Sequence, residues 1–100
     1  MISWNIQYKK DGEANARGTY VAGSTRNEYL VECFGDPLNT TATRFYWSVW
    51  LFGENWSVVV PAQWMEIEQP KYLRQFFPEL LVHFENQIIS PMSRLAETLE

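Results

Sequence analysis

The sequence contains few of the side chains from which catalytic and metal sites are built. Its 100 residues include one cysteine, Cys33, one histidine, His83, and only two aspartates, at positions 11 and 36. A single thiol excludes an internal disulfide and a thiolate metal cluster, because each needs more than one cysteine. The apolar residues around Cys33 favour a small buried side chain over a reactive thiol. We therefore expect no metal and no cofactor.

Long apolar runs and phosphate-binding glycines are also missing. No segment is long and apolar enough to cross a membrane, and the N-terminus has no charged leader followed by an apolar run. The five glycines are scattered singly, which excludes a glycine-rich loop that binds phosphate. The expected location is therefore the cytoplasm, and a membrane is not an expected partner.

Positive charge is in the minority. The net charge is −4 at pH 7, from 8 Lys and Arg against 12 Asp and Glu. This balance argues against nucleic acid as a partner, because a phosphate backbone is bound by a basic surface. The first 26 residues carry four cationic and two anionic side chains, whereas the rest carry four and ten. The asymmetry indicates either two differently solvated faces or an acidic surface that binds a basic partner.

The N-terminal segment predicts a strand and a hairpin. Apolar residues alternate with polar ones from position 2 to position 9, which places the apolar side chains on one face of a strand. These apolar residues are Ile2, Trp4, Ile6 and Tyr8. Asp11-Gly12 supplies turn chemistry, and a short return strand over 18–22 follows.

Residues 25–34 are open to two interpretations. Thr25 and Glu28 have the spacing of a capping box, and Gly35 and Pro37 follow as stop signals, so we expect a helix here. Its apolar face would contain Tyr29, Leu30, Cys33 and Phe34. The competing interpretation is a strand through Tyr29, Val31 and Cys33.

Two further strands are predicted over 44–52 and 56–60. The residues between them, Gly53-Glu54-Asn55, form a hairpin loop of ordinary length. Pro61 is expected to end the second strand, because proline has no N–H for the sheet. The residues after it, Trp64, Met65 and Ile67, would then lie in a connector.

The C-terminal third has helical periodicity. Seven apolar residues follow one helical stripe that stays in phase across Pro78, which predicts a kinked helix or two short helices. They are Leu73, Phe76, Phe77, Leu80, Leu81, Phe84 and Ile88. Ser90-Pro91 is a start signal for another helix. The whole chain, 1–100, is thus expected to be a single α+β domain. About four antiparallel strands would pack against C-terminal helices in the order β-β-α-β-β-α-α.

The acidic and histidine side chains do not assemble into a convincing catalytic set. Glu79 and His83 are one helical turn apart, a spacing that permits contact on a helix surface, but no second imidazole is present. Two pairs of carboxylates, Glu28 with Glu32 and Glu66 with Glu68, have spacings typical of solvated positions. We therefore expect a protein that is not an enzyme.

The most informative feature is an excess of aromatic residues over 45–56. Within the predicted strand, Phe45 and Trp47 point to one side, while Tyr46, Trp50 and Phe52 point to the other. A strand with one solvent-exposed face would alternate apolar with polar residues. Here both faces are apolar, so each must be covered by other parts of the chain or bind another molecule. Either the hairpin is central in the sheet, or its second face anchors a protein interface. Stacking on unpaired bases is a third use of such rings.

Together these features favour a small acidic binding protein that neutralises a protein partner by occupying it, as toxin-immunity proteins and phage-encoded inhibitors do. The partner would be basic, for example a toxin or nuclease. The expected partner-binding residues are Tyr46, Trp50, Phe52, Glu54, Trp64, Glu66 and Glu68. One alternative is a homodimer or scaffold formed through the aromatic hairpin. Another is a small-molecule-binding protein with a pocket around His83.

Overall fold

A five-stranded antiparallel sheet with one α-helix on it makes up the described part of the chain. The computed structural model describes residues 2–10, 12–22, 24–35 and 42–89. Strands follow one another in space as they do in sequence, so the sheet is a simple meander. The elements are β1 (Ser3–Tyr8), β2 (Glu13–Ala22), β3 (Thr25–Phe34), β4 (Ala42–Phe52), β5 (Trp56–Lys71) and α1 (Leu73–Phe84), and a π-helical turn (Glu85–Ile89) follows α1.

The α+β class and the antiparallel sheet agree with the sequence analysis, but the sheet has five strands where about four were predicted, and of the first hairpin only β1 lies where it was predicted. β1 pairs with β2, which is longer than the predicted return strand. Gly12, in the turn between them, has φ 82°, a conformation that glycine adopts without strain. The predicted helix from Ser90-Pro91 lies outside the described residues.

The helix predicted over 25–34 was wrong, and this segment is the central strand β3. All ten of its residues pair with β2 without a break, and its other edge pairs with β4. Tyr29, Val31 and Cys33 are buried, which is the alternation of the competing strand interpretation. The capping-box spacing is local, whereas ladders on both sides of the segment bury a whole face. The pairing of this segment with β2 and β4 therefore outweighs the local helix signals.

The end predicted for the last strand, at Pro61, was also wrong. β5 continues through Pro61 to Lys71, so Trp64, Met65 and Ile67 lie in a strand and not in a connector. β5 is an edge strand, and Pro61 falls where the pairing with β4 shifts register, between Val60 and Gln63. An edge strand tolerates proline there because no ladder hydrogen bond is lost.

Helix α1 packs its apolar stripe against one face of the sheet, as its periodicity predicted. The buried residues of α1 are Phe76, Phe77, Leu80, Leu81 and Phe84. Three ring contacts join the helix to the sheet: Phe45 with Phe76 at 4.2 Å, Trp47 with Phe84 at 4.4 Å and Tyr8 with Phe77 at 6.3 Å. The helix therefore spans the sheet from β4 to β1 and fixes which face becomes the core.

Pro78 lies inside α1, and the sheet compensates for the hydrogen bond that it cannot make. Proline has no N–H, so the carbonyl of Arg74, four residues earlier, loses its helical donor. The hydroxyl of Tyr8 donates to this carbonyl at 3.4 Å, and the Arg74 guanidinium lies 4.7 Å from the centre of the Tyr8 ring. Tyr8 of β1 thus donates a hydrogen bond to the carbonyl that Pro78 leaves without its helical donor.

Small residues on β2 let the strands and the helix approach closely. Ala14 and Ala16 are fully buried on the core face. At Gly18 a Cβ atom would lie 2.4 Å from Cγ2 of Ile2 and 2.8 Å from Cε3 of Trp4, so the lack of a side chain makes room for both. The backbone N–H of Ile2 also donates to the Glu85 carboxylate at 2.6 Å, which ties the end of α1 to the start of β1.

Removal of the Phe84 ring should destabilise the domain strongly. Phe84 is 0% exposed and contacts Trp47, so Phe84→Ala should lower the free energy of unfolding by about 3–5 kcal/mol. The matched control is Val82→Ala on the same helix, where the side chain is 58% exposed. Urea unfolding of the two variants tests this, and similar midpoints would contradict the assigned core.

Substitution of Gly18 should also destabilise, for a steric reason. Gly18→Ala should cost about 1–3 kcal/mol, since Ile2 and Trp4 must move away from the new Cβ. Gly53→Ala is the control, because its Cβ would meet nothing nearer than the Asn55 carbonyl oxygen at 3.9 Å. Thermal unfolding compares the two. A Gly18→Ala variant as stable as the wild type would show that Trp4 does not pack there.

Candidate protein-binding face

The face of the sheet opposite α1, here called the outer face, contains the aromatic residues singled out by the sequence. On β4, Phe45 and Trp47 contact the helix, so Tyr46, Trp50 and Phe52 point to the other side. Strand pairing extends this face across all five strands in transverse rows. One row is Asn5, Arg17, Leu30, Trp50 and Val58, and the next is Gln7, Asn15, Glu32 and Ser48.

The row through Trp50 is polar on β1 and β2 and apolar from β3 to β5, whereas the row through Glu32 is polar throughout. The apolar part, here called the aromatic cluster, consists of Phe34, Tyr46, Trp50, Phe52, Trp56, Val58 and Trp64. Four of its members are exposed: Trp64 at 58%, Val58 at 51%, Phe52 at 45% and Phe34 at 37%. The outer face thus exposes contiguous apolar side chains that the described part of the chain does not cover.

The half-buried rings of the cluster are held against the sheet. The indole N–H of Trp50 donates to Oγ of Ser48 at 3.0 Å, which lays the ring along β4 and buries Ser48. Tyr46 packs against its cross-strand neighbour Trp64 with ring centres 5.1 Å apart. Phe52 meets Trp56 in the same way at 4.9 Å. The cluster is therefore a fixed surface of paired rings.

Two arginines brace the edges of the cluster. Arg44 lies 4.6 Å from the centre of the Trp64 ring and 3.7 Å from the Glu66 carboxylate. Arg17, on β2, bonds Glu28 at 2.6 Å and lies 5.3 Å from the Trp56 ring of β5. Because each guanidinium contacts both a ring and a carboxylate, the rings are positioned by charge as well as by packing.

The polar part of the outer face forms a shallow groove of about 290 Å³ over β1, β2 and β3. Its lining residues are Asn5, Gln7, Lys9, Glu13, Asn15, Arg17, Leu30 and Glu32. Lys9 pairs with Glu13 at 3.5 Å, while Glu32 forms no ion pair within the described residues. Burial raises the pKa of the Glu32 carboxyl; Glu13 adds to the increase, and Lys9 opposes it.

The structure brings most of the sequence-predicted site residues together. Tyr46, Trp50, Phe52 and Trp64 belong to the aromatic cluster, and Glu66 borders it through Arg44. Glu68 is exposed farther along β5, and Glu54 is exposed in the loop between β4 and β5, beside Phe52.

Sequence reasoning missed Phe34, Trp56 and Val58, which belong to the aromatic cluster, and the polar groove beside it. The signal was present for Phe34 and for the groove, because a strand over 25–34 turns Glu28, Leu30, Glu32 and Phe34 to one side. Interpreting that segment as a helix hid this alternation.

On the helix side, the described residues form no acid–base arrangement. Glu79 bonds Lys71 at 2.5 Å, and exposed His83 contacts the ring of Phe84. A small apolar pocket of about 260 Å³ lies beside them, lined by Met65, Phe76, Glu79, Leu80 and His83. Cys33 is fully buried, and burial raises its pKa to about 12, which suits a packing role.

The described residues also contain no group of three or more His, Cys, Asp or Glu that could hold a metal ion. None of the helices described is long and apolar enough to span a bilayer. Comparison with models of protein families, with curated proteins and with solved structures gave no significant match. Function must therefore be inferred from the chemistry of the outer face itself.

Glu32 should make the stability of the protein depend on pH. Its raised pKa means that the folded state binds the proton more tightly than the unfolded state does. The resulting stabilisation is present below the unfolded pKa, about 4.3, and is lost as pH rises through the folded pKa. Glu32→Gln should therefore be more stable than the wild type at neutral pH, with a smaller or no advantage in acid.

Urea unfolding across this pH range measures the effect. Glu68→Gln is the control, because Glu68 is exposed on β5 outside the groove. If Glu32→Gln and Glu68→Gln changed stability equally at every pH, the described environment of Glu32 would be incorrect.

Proposed function

We propose that this protein is a non-enzymatic binding protein that neutralises a protein partner by occupying it with the outer face of the sheet. The observation that carries the proposal is the aromatic cluster, which is exposed in part and lies on the face opposite α1. Aromatic rings bury a large area at low entropic cost and dominate many binding hot spots.

The placement of the cluster on strands supports this proposal. Paired rings on a hydrogen-bonded sheet are already ordered before a partner arrives, so binding need not order a loop. Trp64 and Phe52 would be the main aromatic anchors, because they are the most exposed rings of the cluster and have the most ring surface left to bury. The polar groove, Arg17 and Arg44 would form the polar rim of the interface.

The charges around the cluster support a basic partner. Arg17, Arg44 and Lys9 are each paired with a carboxylate of the same face. Within the described residues, Glu32, Glu54 and Glu68 form no ion pair, and of the cations on this face Arg26 forms none either, so unpaired carboxylates outnumber unpaired cations around the rings. Such charge steers association with a basic surface and sets specificity, as expected for an inhibitor of the immunity or phage-inhibitor type.

Self-association through the outer face is the second candidate, and the same exposed rings favour it. A two-fold contact would bury Trp64 and Val58 against their own copies. It would also bring the unneutralised carboxylates of two chains near each other, which disfavours this candidate.

Removal of the two most exposed rings of the aromatic cluster should weaken partner binding without unfolding the protein. The double variant Phe52→Ala/Trp64→Ala should retain most of its stability, because both side chains are exposed, and should lose at least about tenfold in affinity. The control is Tyr72→Ala/Val82→Ala, whose two side chains are equally exposed but lie outside the outer face.

Quantitative capture from native lysate, followed by mass spectrometry, identifies the partner, and calorimetry with that purified partner gives the affinities. Light scattering of the protein alone tests the second candidate. A protein that captures no stoichiometric partner, or one that both double variants bind equally well, would contradict the proposal. A dimer that the Phe52→Ala/Trp64→Ala variant converts to monomer would favour self-association instead.

A further inference from the structure

The groove beside the aromatic cluster contains a carboxylate whose surroundings lack a matching cation. Glu32 lies on the central strand, between Asn15 of β2 and Ser48 of β4, and Gln7 completes the row on β1. Side-chain amides on two adjacent strands therefore flank the carboxylate. Ser48 is buried and accepts a hydrogen bond from the Trp50 indole, so the row leads from Glu32 directly to the aromatic cluster.

The cations already in the groove are engaged elsewhere. Lys9 pairs with Glu13, while Arg17 uses both Nε and Nη2 on Glu28, at 3.0 and 2.6 Å. Glu13 therefore takes the ammonium of Lys9, and Glu28, which lies outside the groove, takes the guanidinium of Arg17, so neither cation forms an ion pair with Glu32. A partly desolvated carboxylate of this kind gains more from an incoming cation than a fully solvated one does.

We propose that this groove binds one arginine side chain of the protein partner, with its guanidinium on the Glu32 carboxylate. The inference rests on the proposed function, since it names the chemistry by which that partner is recognised. The oxygens of Asn5, Gln7 and Asn15 can accept the remaining N–H groups of a guanidinium, which has five donors. Leu30 supplies an apolar wall for the methylene stem.

The size and setting of the groove suit a side chain better than a cofactor. Its volume of about 290 Å³ lies at the lower limit of small-molecule sites. The outer face already holds guanidinium groups between carboxylates and rings, as Arg17 and Arg44 show. An arginine from a partner would repeat that arrangement next to Trp50 and Ser48. A lysine ammonium has fewer donors and no planar fork to match the surrounding oxygens.

Titration with a small probe tests this inference without the partner. N-acetylarginine methylamide is added to isotope-labelled protein, and amide chemical shifts are followed by NMR; N-acetylcitrulline methylamide is the uncharged isostere. We expect shifts at Asn5, Gln7, Asn15 and Glu32 for arginine and not for citrulline. A single charged contact corresponds to affinity on the order of millimolar. Glu32→Gln should weaken arginine binding about tenfold.

Two variants separate this inference from the proposed function. Glu68→Gln removes an exposed carboxylate of β5 outside the groove and should leave the arginine shifts unchanged. Phe52→Ala/Trp64→Ala, which tests the aromatic cluster, should also leave them unchanged, so the two proposals can fail independently.

Equal shifts with citrulline, shifts that map to Glu54 or Glu66 instead, or full arginine binding by Glu32→Gln would each overturn the inference. Absence of any shift with the arginine probe would overturn it as well.

Discussion

The packing of a single amphipathic helix on one face of the sheet is the constraint on which the described structure depends. Five bulky side chains of α1 are buried there, and the rings of Phe76 and Phe84 lie against Phe45 and Trp47. A sheet has two faces, however, and this helix covers one. The composition of the outer face is therefore decided by which residues alternate away from the helix. In β4 and β5 those residues are aromatic, although the packing of the core does not require this.

The outer face places apolar rings and charged side chains within a few strand positions of each other. Rings on β4 and β5 alone would form a large apolar patch that associates without selectivity. Arg17 and Arg44 each cover the edge of a tryptophan and carry a paired carboxylate, which limits the open area. Polar side chains of β1 and β2 extend each row outward. The outer face thus places apolar rings beside polar side chains, a combination that is also found in selective protein interfaces.

The sequence predicted the parts of this fold in which one local pattern dominates. The alternation of β1 and the stripe of α1 could be interpreted correctly because each buries one face against a single layer. The segment 25–34 could not, because Thr25, Glu28 and Gly35 mimic helix boundaries while the strand is stabilised by distant residues of β2 and β4. The strand end predicted at Pro61 was wrong for a similar reason. Whether a proline ends a strand depends on whether that strand is central or at the edge of the sheet. The aromatic half of the candidate site was visible in sequence because it lies within one hairpin. The groove was not, because its residues come from three strands, and one of those strands was misassigned.

Because residues 25–34 form the strand β3 and not a helix, more of the outer face is exposed. As a helix, residues 25–34 would have been a second cover for the aromatic hairpin, and the exposed rings would then be fewer. As the central strand, the segment adds Phe34 and Leu30 to the apolar side of the outer face and places Glu32 in its middle. The same misassigned segment thus supplies both additional contact area and the carboxylate with no cation of its own. If the outer face binds a protein as proposed, a carboxylate beside the rings would add selectivity, because a partner without a cation at that position would leave a partly desolvated carboxylate unpaired.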